Sequence, residues 1–308
     1  MDFPASEFAC NDPHIRVALY RQIEPGPESY MIPLMSKSKT NHHGTMASRA
    51  DKYDLYLRSV QEPDHEVAFF QRVYRQACGQ PPQVLREDFC GTFAVCCSWV
   101  RRKPDRQAIG VDLDPEPLNW GTRHNLAKLS EVAQQRVQLI QDDVRTVCGP
   151  KADVVAAQNF SFCIFKTRDD LRRYFRAAYR NLRKYGVLVL DMVGGSEAIE
   201  EEHEDIERYN GFTYVWEQHR FDPITHNFKC FIHFRFRDGS ELRRAFSYEW
   251  RLWSIPEIRE LLAEAGFKRT DVYWEDTDSD TGEGKDIYRR REHAASDPAW
   301  VAYIVGVK

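Results

Sequence analysis

Short apolar runs alternate with amphipathic stretches over residues 83–193. Because each run is apolar throughout, both faces of the strand that it forms must be buried, which is typical of parallel strands covered by helices on both sides. The pattern therefore predicts an α/β fold with a doubly wound, mostly parallel sheet. The predicted strands are 84–85, 108–111, 137–140, 153–157 and 187–190, and the predicted helices are 93–100, 115–129 and 168–184.

The chain on either side of this core has a different pattern of apolar and polar residues. Residues 1–45 have no sustained period and are predicted to be a flexible arm, whereas 46–308 are predicted to form one domain that begins with helical residues 47–79. Within 196–253, alternating aromatic and polar residues predict an antiparallel β insertion of about three strands, with a hairpin turn at Asp238-Gly239. The remaining predicted elements are a helix capped by Ser254 that ends at Ala265, and strands 270–274 and 299–306 on either side of a polar loop at 275–298.

Three consecutive strand-to-helix turns carry the groups that a nucleoside ligand needs. The first turn is residues 87–92 (EDFCGT), the second strand ends in Asp112, and the third ends in Asp142-Asp143-Val144. In a doubly wound sheet the ligand lies across the carboxyl ends of the strands, and an acidic residue about 20 residues beyond the first turn binds the ribose hydroxyls. An acceptor after the third strand suits an adenine amino group. The spacing therefore predicts a ligand that contains adenosine.

Glycine is scarce in the first turn, and this restricts the class of ligand. A dinucleotide fingerprint, G-x-G-x-x-G, uses its glycines to admit a pyrophosphate. Here only Gly91 is present, and Phe89 and Phe93 stand where further glycines would be. The turn disfavours a nicotinamide dehydrogenase and favours a cofactor without phosphates, of which S-adenosylmethionine is one.

Two stretches of the chain resemble a known family. Residues 84–92 (VLREDFCGT), followed by 110–115 (GVDLDP), resemble the class I S-adenosylmethionine methyltransferases, and more narrowly a branch with an E-D-F-C-G-T first turn. Residues 51–56 (DKYDLY) and 59–61 (SVQ) resemble the same branch. The resemblance, which covers the chain well over 50–195, implies the class I fold, methyl transfer and S-adenosylmethionine as the cofactor.

The resemblance also implies roles for individual residues. Glu87, or Asp88 if the register shifts by one, would face the methionine part of the cofactor, beside the backbone of Cys90 and Gly91. Arg86 lies where an apolar residue is usual, so we expect it to pair with Glu87 or Asp88. The other implied contacts are Asp112 on the ribose, Leu113 on adenine, Asp143 on the adenine amino group with the Val144 N–H nearby, and Tyr53 and Tyr56 over the methionine end.

We expect the methyl acceptor to bind beyond the ends of the fourth and fifth predicted strands. Asn159 follows the fourth strand and could orient the methionine amino group or the acceptor. Asp191 ends the fifth strand and is the best candidate for an acceptor contact or a general base. The aromatic insertion could roof the pocket and exclude water, with His219 as a second catalytic candidate. The residues expected in this roof are Trp216, His219, Tyr248, Trp250, Arg251 and Trp253.

Several of these residues have a simpler structural interpretation. Asp112 and Asp114 could only cap a helix, Asp142-Asp143 could be a metal pair, and Tyr53 and Tyr56 could be core residues of an amphipathic helix. The aromatic residues of the insertion could form sheet core or the face of a homodimer.

Charge and cysteine usage limit the partners. The net charge of −4 provides no basic field for nucleic acid. Six cations between Arg172 and Lys184, in the helix predicted at 168–184, leave RNA binding open beside the default of a solvated face. The eight cysteines include no C-x-x-C pair, so no metal site is predicted. No apolar run reaches the length of about 18 residues that a bilayer needs, and the absence of an export signal favours the cytosol.

The leading hypothesis is S-adenosylmethionine-dependent methyl transfer to an O, N or S atom of a small molecule. The alternatives are a methyltransferase for RNA or protein, and a catalytically silent protein that binds the cofactor.

Overall fold

The computed structural model describes residues 44–277 and 284–308, so nearly all of the arm predicted at 1–45 lies outside the described residues. The helices are α1 (Met46–Arg49), α2 (Lys52–Ser59), α3 (Pro63–Cys78), α4 (Ala94–Arg102), α5 (Pro115–His124), α6 (Glu131–Gln134), α7 (Arg168–Asn181) and α8 (Ile255–Ala265). The strands are β1 (Val84–Asp88), β2 (Gln107–Asp112), β3 (Val137–Gln141), β4 (Ala152–Ala157), β5 (Leu182–Gly194), β6 (His203–Tyr209), β7 (Phe212–Asp222), β8 (Asn227–Arg235), β9 (Glu241–Arg251), β10 (Arg269–Thr277), β11 (Gly284–Arg291) and β12 (Trp300–Val307).

Eight strands form the larger sheet, in the order β11-β10-β12-β5-β4-β1-β2-β3. The strands from β3 to β5 in this order are parallel, and β12 runs antiparallel to both β5 and β10. The predicted doubly wound, mostly parallel sheet is confirmed. Because the chain leaves β1 toward β2 on one side and β4 lies on the other, a crevice opens at the carboxyl ends of these strands, where such folds bind ligands.

Alternate residues of the central strands enter two hydrophobic cores, one on each face of the sheet. Val155 and Leu188 belong to the core that includes Leu171 of α7. Val189 belongs to the other core, with Phe70 of α3. Every residue of β4 is buried, which explains why it gives a continuous apolar run in the sequence.

The smaller sheet is antiparallel, in the order β6-β7-β8-β9, and lies within the predicted insertion. It has one strand more than expected, because β6 is a largely polar edge strand that gives no apolar signal. Phe212 and Phe234 of this sheet pack in one cluster with Leu55 of α2. This contact holds the smaller sheet against the N-terminal helices.

Two predicted boundaries differ from the structure. Helix α7 ends at Asn181 and not at 184, because the Asn181 side chain donates to the carbonyls of Ala177 (2.9 Å) and Val147 (3.1 Å) and Leu182 is already a buried strand residue. The cationic run predicted for one helix is therefore divided between α7 and β5. The polar loop predicted at 275–298 contains the edge strand β11, whose charged residues conceal its strand character.

The helical stretch predicted at 47–79 is interrupted twice. Asp51 begins α2 by accepting hydrogen bonds from the N–H groups of Tyr53 (2.9 Å) and Asp54 (3.3 Å), and Pro63 begins α3. No helix in the described ranges is long and apolar enough to span a membrane.

Asp153 joins three elements at the amino end of the parallel strands, and its removal should destabilise the fold. Its buried carboxylate accepts from the N–H groups of Gln83 and Val84 (2.8 Å each) and from the Arg183 guanidinium (3.0 Å). Asp153→Ala leaves buried N–H groups without an acceptor, so we expect the free energy of unfolding to fall by about 3 kcal/mol. Urea denaturation followed by tryptophan fluorescence measures this change. The matched variant of the exposed Asp105, Asp105→Ala, should change it by under about 0.5 kcal/mol; equal losses in the two variants would contradict the assignment.

Candidate functional site

The first turn has left-handed backbone at three positions although it contains one glycine. The φ angles are 57° at Phe89, 50° at Gly91 and 46° at Phe93. The two phenylalanines tolerate this conformation because packing fixes their rings: Phe93 is fully buried, and the Phe89 ring lies 5.5 Å from that of Tyr174. A Cβ atom added to Gly91 would meet no atom within 4 Å, so the backbone of the turn is open to a ligand.

Asp112 lies directly against this turn. One carboxylate oxygen accepts from the Gly91 N–H (2.7 Å), and the other accepts from the N–H of Asp114 (2.9 Å). Burial raises the pKa of Asp112, and these N–H bonds oppose the shift. Asp114 caps α5 by accepting from the Glu116 N–H (2.9 Å), so the capping role belongs to Asp114. Leu113, between the two aspartates, is 68% exposed.

The acidic pair of the first turn divides into two roles. Asp88 forms a buried ion pair with the Arg86 Nε (2.6 Å) and accepts from the Tyr174 hydroxyl (3.2 Å), which confirms that Arg86 pairs with a neighbouring acid. Glu87 accepts from the Cys96 N–H at the start of α4 (3.1 Å). Burial raises the pKa of Glu87 to about 7, helped by the charges of Asp112 and Asp88.

The turn after β3 contains an ion pair that the sequence reasoning missed. The Arg145 guanidinium donates to both carboxylate oxygens of Asp143 (2.8 Å and 3.1 Å) and to Asp170 (2.9 Å). Hydrogen bonds from Arg145 lower the pKa of Asp143. Asp142 accepts from the Asp143 N–H (2.7 Å), and Val144 is buried. The adenine contact assigned to Asp143 stays a prediction, with Arg145 as an added neighbour of that position.

A cavity of about 320 Å³ lies beyond the ends of β4 and β5. It is bounded by the α2–α3 segment, the smaller sheet, β11 and β12. Its polar lining includes Tyr56, Glu62, His65, Glu66, Asn159, Asp191, Gln218 and Asp286, and its aromatic lining includes Phe160, Tyr209, Tyr214, Trp216, Phe228, Tyr248, Trp250, Tyr288 and Tyr303.

Asp191 organises the floor of this cavity. Its two carboxylate oxygens accept from the N–H groups of Asn159 (2.7 Å) and Phe160 (3.0 Å). Both of these residues have left-handed backbone, with φ angles of 56° and 55°. Burial raises the pKa of Asp191 to about 7, and the two N–H bonds oppose the shift. Asp191 and Asn159 therefore meet, as the sequence order of their strands suggested.

The smaller sheet contributes only part of the predicted roof. Trp216, Tyr248 and Trp250 line the cavity, but Arg251 and Trp253 do not. The Arg251 guanidinium lies 3.8 Å from the Trp253 ring, and the Trp253 indole N–H donates to the Phe165 carbonyl (3.2 Å).

His219 also lies outside the cavity lining. Its Nδ1 is 2.8 Å from Glu217, whose other carboxylate oxygen is 2.8 Å from the buried His233 Nε2. Because side chains alternate along a strand, this group faces away from Trp216 and Gln218, which do line the cavity.

The two predicted tyrosines occupy different surroundings. Tyr56 lines the cavity, its ring is 4.9 Å from that of Phe246, and burial raises its pKa. Tyr53 packs between Trp120 (5.7 Å) and Phe246 (5.9 Å) and does not contribute to the cavity wall.

The sequence analysis missed two carboxyl groups, that of Glu66 in α3 and that of Glu62, which directly precedes this helix. Glu66 is 7% exposed, and its Oε2 atom is buried without a hydrogen-bond partner. Burial raises the pKa of Glu66 well above its usual value, together with the charges of Asp191, Glu87 and Glu62. Burial also raises the pKa of Glu62, to about 7. The signal was present, because positions 62 and 66 continue the helical stripe that Phe70 and Val73 bury.

The described residues contain no group of three or more His, Cys, Asp or Glu side chains arranged to hold a metal ion.

Solved structures, methyltransferases among them, share this fold. KedS8, a sugar N-methyltransferase from Streptoalloteichus sp ATCC 53650, is 22% identical, with a TM-score of 0.57 over 91% of this chain and 99% of its own. DesVI from Streptomyces venezuelae is 20% identical, with a TM-score of 0.59 over 84% of this chain and 98% of its own. CalS10, an amino pentose methyltransferase from Micromonospora echinaspora solved with S-adenosylmethionine bound, is 21% identical, with a TM-score of 0.57 over 85% and 99%. No family model matches the sequence, and no curated protein does.

The raised pKa of Glu87 predicts how the stability of the ligand-free protein varies with pH. The pKa is about 7 in the folded state against 4.5 when unfolded, so the contribution to stability is full below pH 4.5 and is lost as the pH rises through 7. Glu87→Gln cannot ionise, so its loss of stability between pH 5 and 8 should be smaller by about 3 kcal/mol. Urea denaturation at a series of pH values measures this. The variant of the exposed Glu260, Glu260→Gln, should match the wild type; an unchanged pH dependence in Glu87→Gln would refute the explanation.

Proposed function

We propose that this chain is an S-adenosylmethionine-dependent methyltransferase of class I, from the branch with the E-D-F-C-G-T turn, and that it acts on a small molecule. The observation that carries the proposal is the Asp112 carboxylate at the end of β2, bonded to the Gly91 N–H of the first turn (2.7 Å). A cavity at the ends of β4 and β5 lies at the same edge of the sheet, in which β1 separates β4 from β2.

The residues around Asp112 fit this cofactor. Each carboxylate oxygen of Asp112 accepts one backbone N–H and retains a lone pair for a ribose hydroxyl. Leu113, apolar yet 68% exposed, presents a surface for one face of adenine. The open space at Gly91 admits a ligand close to the backbone, while Phe89 and Phe93 stand where a dinucleotide fingerprint has glycines.

The buried carboxyl groups suit the charged end of the cofactor. S-adenosylmethionine supplies a methyl group activated on a positively charged sulfur, and its methionine end carries an ammonium group. Glu87, buried at the end of β1, is assigned to that ammonium group. Tyr56, which lines the cavity, is assigned to the boundary between cofactor and acceptor, and Tyr53 to the packing of α2 that positions Tyr56.

Asp191 is assigned to the acceptor. It lies at the cavity floor, and the N–H groups of Asn159 and Phe160 fix both of its oxygens. A carboxyl group with a pKa of about 7 can both accept and release a proton near neutral pH. We therefore assign Asp191, and not His219, as the group that can take a proton from the acceptor.

The cavity supports a small acceptor better than RNA. The walls come from both sheets and from α2–α3, which excludes water from the reacting atoms. On α7, Arg168 and Arg172 pair with Glu264 (2.7 Å and 3.2 Å), so part of the cationic face is already neutralised. The cysteines of the described ranges are all free, which supports a cytosolic location.

Transfer of a labelled methyl group tests the activity. The protein is incubated with labelled S-adenosylmethionine and fractionated metabolites, RNA or protein from the native host. We expect label in a small-molecule fraction. Label only in RNA or protein would contradict the proposed acceptor class, and tight cofactor binding without transfer to any fraction would indicate a silent binding protein.

Removal of the Asp112 carboxylate should weaken cofactor binding. Asp112→Ala removes the charge-assisted hydrogen bonds to the ribose, so we expect the dissociation constant for S-adenosylmethionine to rise on the order of tenfold or more. Isothermal titration calorimetry measures it. The control is Asp114→Ala, which removes only the cap of α5 and should stay within about twofold. Equal losses in the two folded variants would favour a purely structural role for this acidic pair.

A further inference from the structure

The acceptor cavity has an acidic wall that methyl transfer alone does not explain. Glu62, Glu66 and Asp191 line it together with Asp286. The charges that raise the pKa of Glu66 are those of other carboxylates. The cavity therefore brings together carboxyl groups whose charged form a bound cation would stabilise.

The cations at the rim are already engaged. The Arg58 guanidinium donates to the Asn210 carbonyl (2.8 Å) and to Asp54 (3.4 Å), and it lies 4.8 Å from the centre of the Phe212 ring. The His65 Nε2 lies 3.1 Å from the Asp286 carbonyl oxygen. None of these contacts brings a cation to the Glu66 carboxyl group.

Glu66 is the centre of this wall. Its side chain is more than nine-tenths buried, and its Oε2 atom has no hydrogen-bond partner. A buried carboxyl group without a partner destabilises a protein unless a ligand supplies the missing donor. Because Glu66 lies at the cavity surface, that donor can come from a bound molecule.

Aromatic rings line the same cavity as these carboxyl groups. The rings of Tyr248 and Trp250 stack with their centres 4.4 Å apart, and Trp216 lies 6.1 Å from Trp250. The face of an aromatic ring attracts a cation. Negative charge and aromatic faces together select a protonated amine over a neutral hydroxyl group or an anion.

We propose that the cavity binds an acceptor through a protonated amine held by Glu66 against the aromatic wall, which makes the protein a methyltransferase of small amines. The inference rests on the proposed function for the reaction that follows binding. A cavity of about 320 Å³ suits a compact, single-ring molecule. Before methyl transfer, one N–H bond of the ammonium group breaks, the nitrogen keeps the electron pair, and the proton moves to a wall carboxylate. That electron pair would then form the N–C bond as the methyl–sulfur bond of S-adenosylmethionine breaks, and the sulfur would keep the pair of the broken bond and leave as S-adenosylhomocysteine.

Matched amines and alcohols test the selectivity. Benzylamine and benzyl alcohol, and cyclohexylamine and cyclohexanol, are titrated into the full-length protein at pH 7, and the fluorescence of Trp216 and Trp250 in the cavity wall reports binding. We expect each amine to bind at least about tenfold more tightly than its alcohol, in line with a desolvated cation–π contact and a charge-assisted hydrogen bond. Glu66→Gln should remove this preference and leave alcohol binding unchanged, whereas Glu260→Gln should retain it.

Proton release gives a second measurement. A Glu66 carboxyl that is protonated in the empty cavity must ionise when an ammonium group binds, so calorimetry in buffers of different ionisation enthalpy should show proton release with benzylamine and none with benzyl alcohol. The release should fall in Glu66→Gln. If Glu66→Gln fails to fold, two measurements on the wild type still test whether the cavity selects a protonated amine. These are the ratio of its affinities for amine and alcohol, and the proton release on amine binding.

The outcomes separate this inference from the proposed function. Equal affinity for amine and alcohol, or a preference that survives in folded Glu66→Gln, would overturn the amine site. Titration with S-adenosylhomocysteine in the same samples tests cofactor binding independently. Amine selectivity without cofactor binding would refute the proposed function alone, and cofactor binding without amine selectivity would refute this inference alone.

Discussion

The hydrogen bond of 2.7 Å from the Gly91 N–H to the Asp112 carboxylate joins the ends of β1 and β2 at the point where the sheet opens. Parallel strands bring their carboxyl ends to one edge, so Glu87, Asp112 and Asp191 all lie along this edge. The bond fixes the first turn in its left-handed conformation and keeps its backbone exposed. Without it, Leu113 and the turn would not face the same space.

The same arrangement recurs between β4 and β5. There the Asp191 carboxylate accepts from the N–H groups of Asn159 and Phe160. In both turns residues other than glycine adopt left-handed backbone, which costs about 1 kcal/mol for each residue. At Asn159 and Phe160, charge-assisted hydrogen bonds to the Asp191 carboxylate offset this cost, whereas at Phe89 and Phe93 the packing of the rings offsets it. In both places a carboxylate near the end of a parallel strand accepts backbone N–H groups of a neighbouring turn.

The sequence predicts the parts of this design that depend on local pattern. Buried parallel strands give apolar runs, and Asp112 and Asp191 end two of them, so both could be identified. His219 could not be placed, because alternation along a strand does not show which face meets the crevice, and the irregular register between Gln218 and Arg220 adds to the ambiguity. Strand β11 was not predicted, because the charged side chains of this edge strand give no apolar pattern. The helical stripe of α3 predicts that Glu66 is buried, but it does not show that Glu66 lies near Asp191 and Glu87, which are distant in sequence.

Burial and ion pairing shift the pKa values of carboxyl groups in the described residues in opposite directions. Asp143, bonded to Arg145, has a lowered pKa and stabilises the turn that contains it. Glu66, Glu87 and Asp191 have raised pKa values because burial removes water without supplying a cation. Glu87 and Asp191, with pKa values of about 7, weaken the empty fold as the pH rises through neutrality. Under the proposed function, a positively charged ligand would offset that cost on binding, so the groups that destabilise the free protein would favour occupancy of the crevice and the cavity.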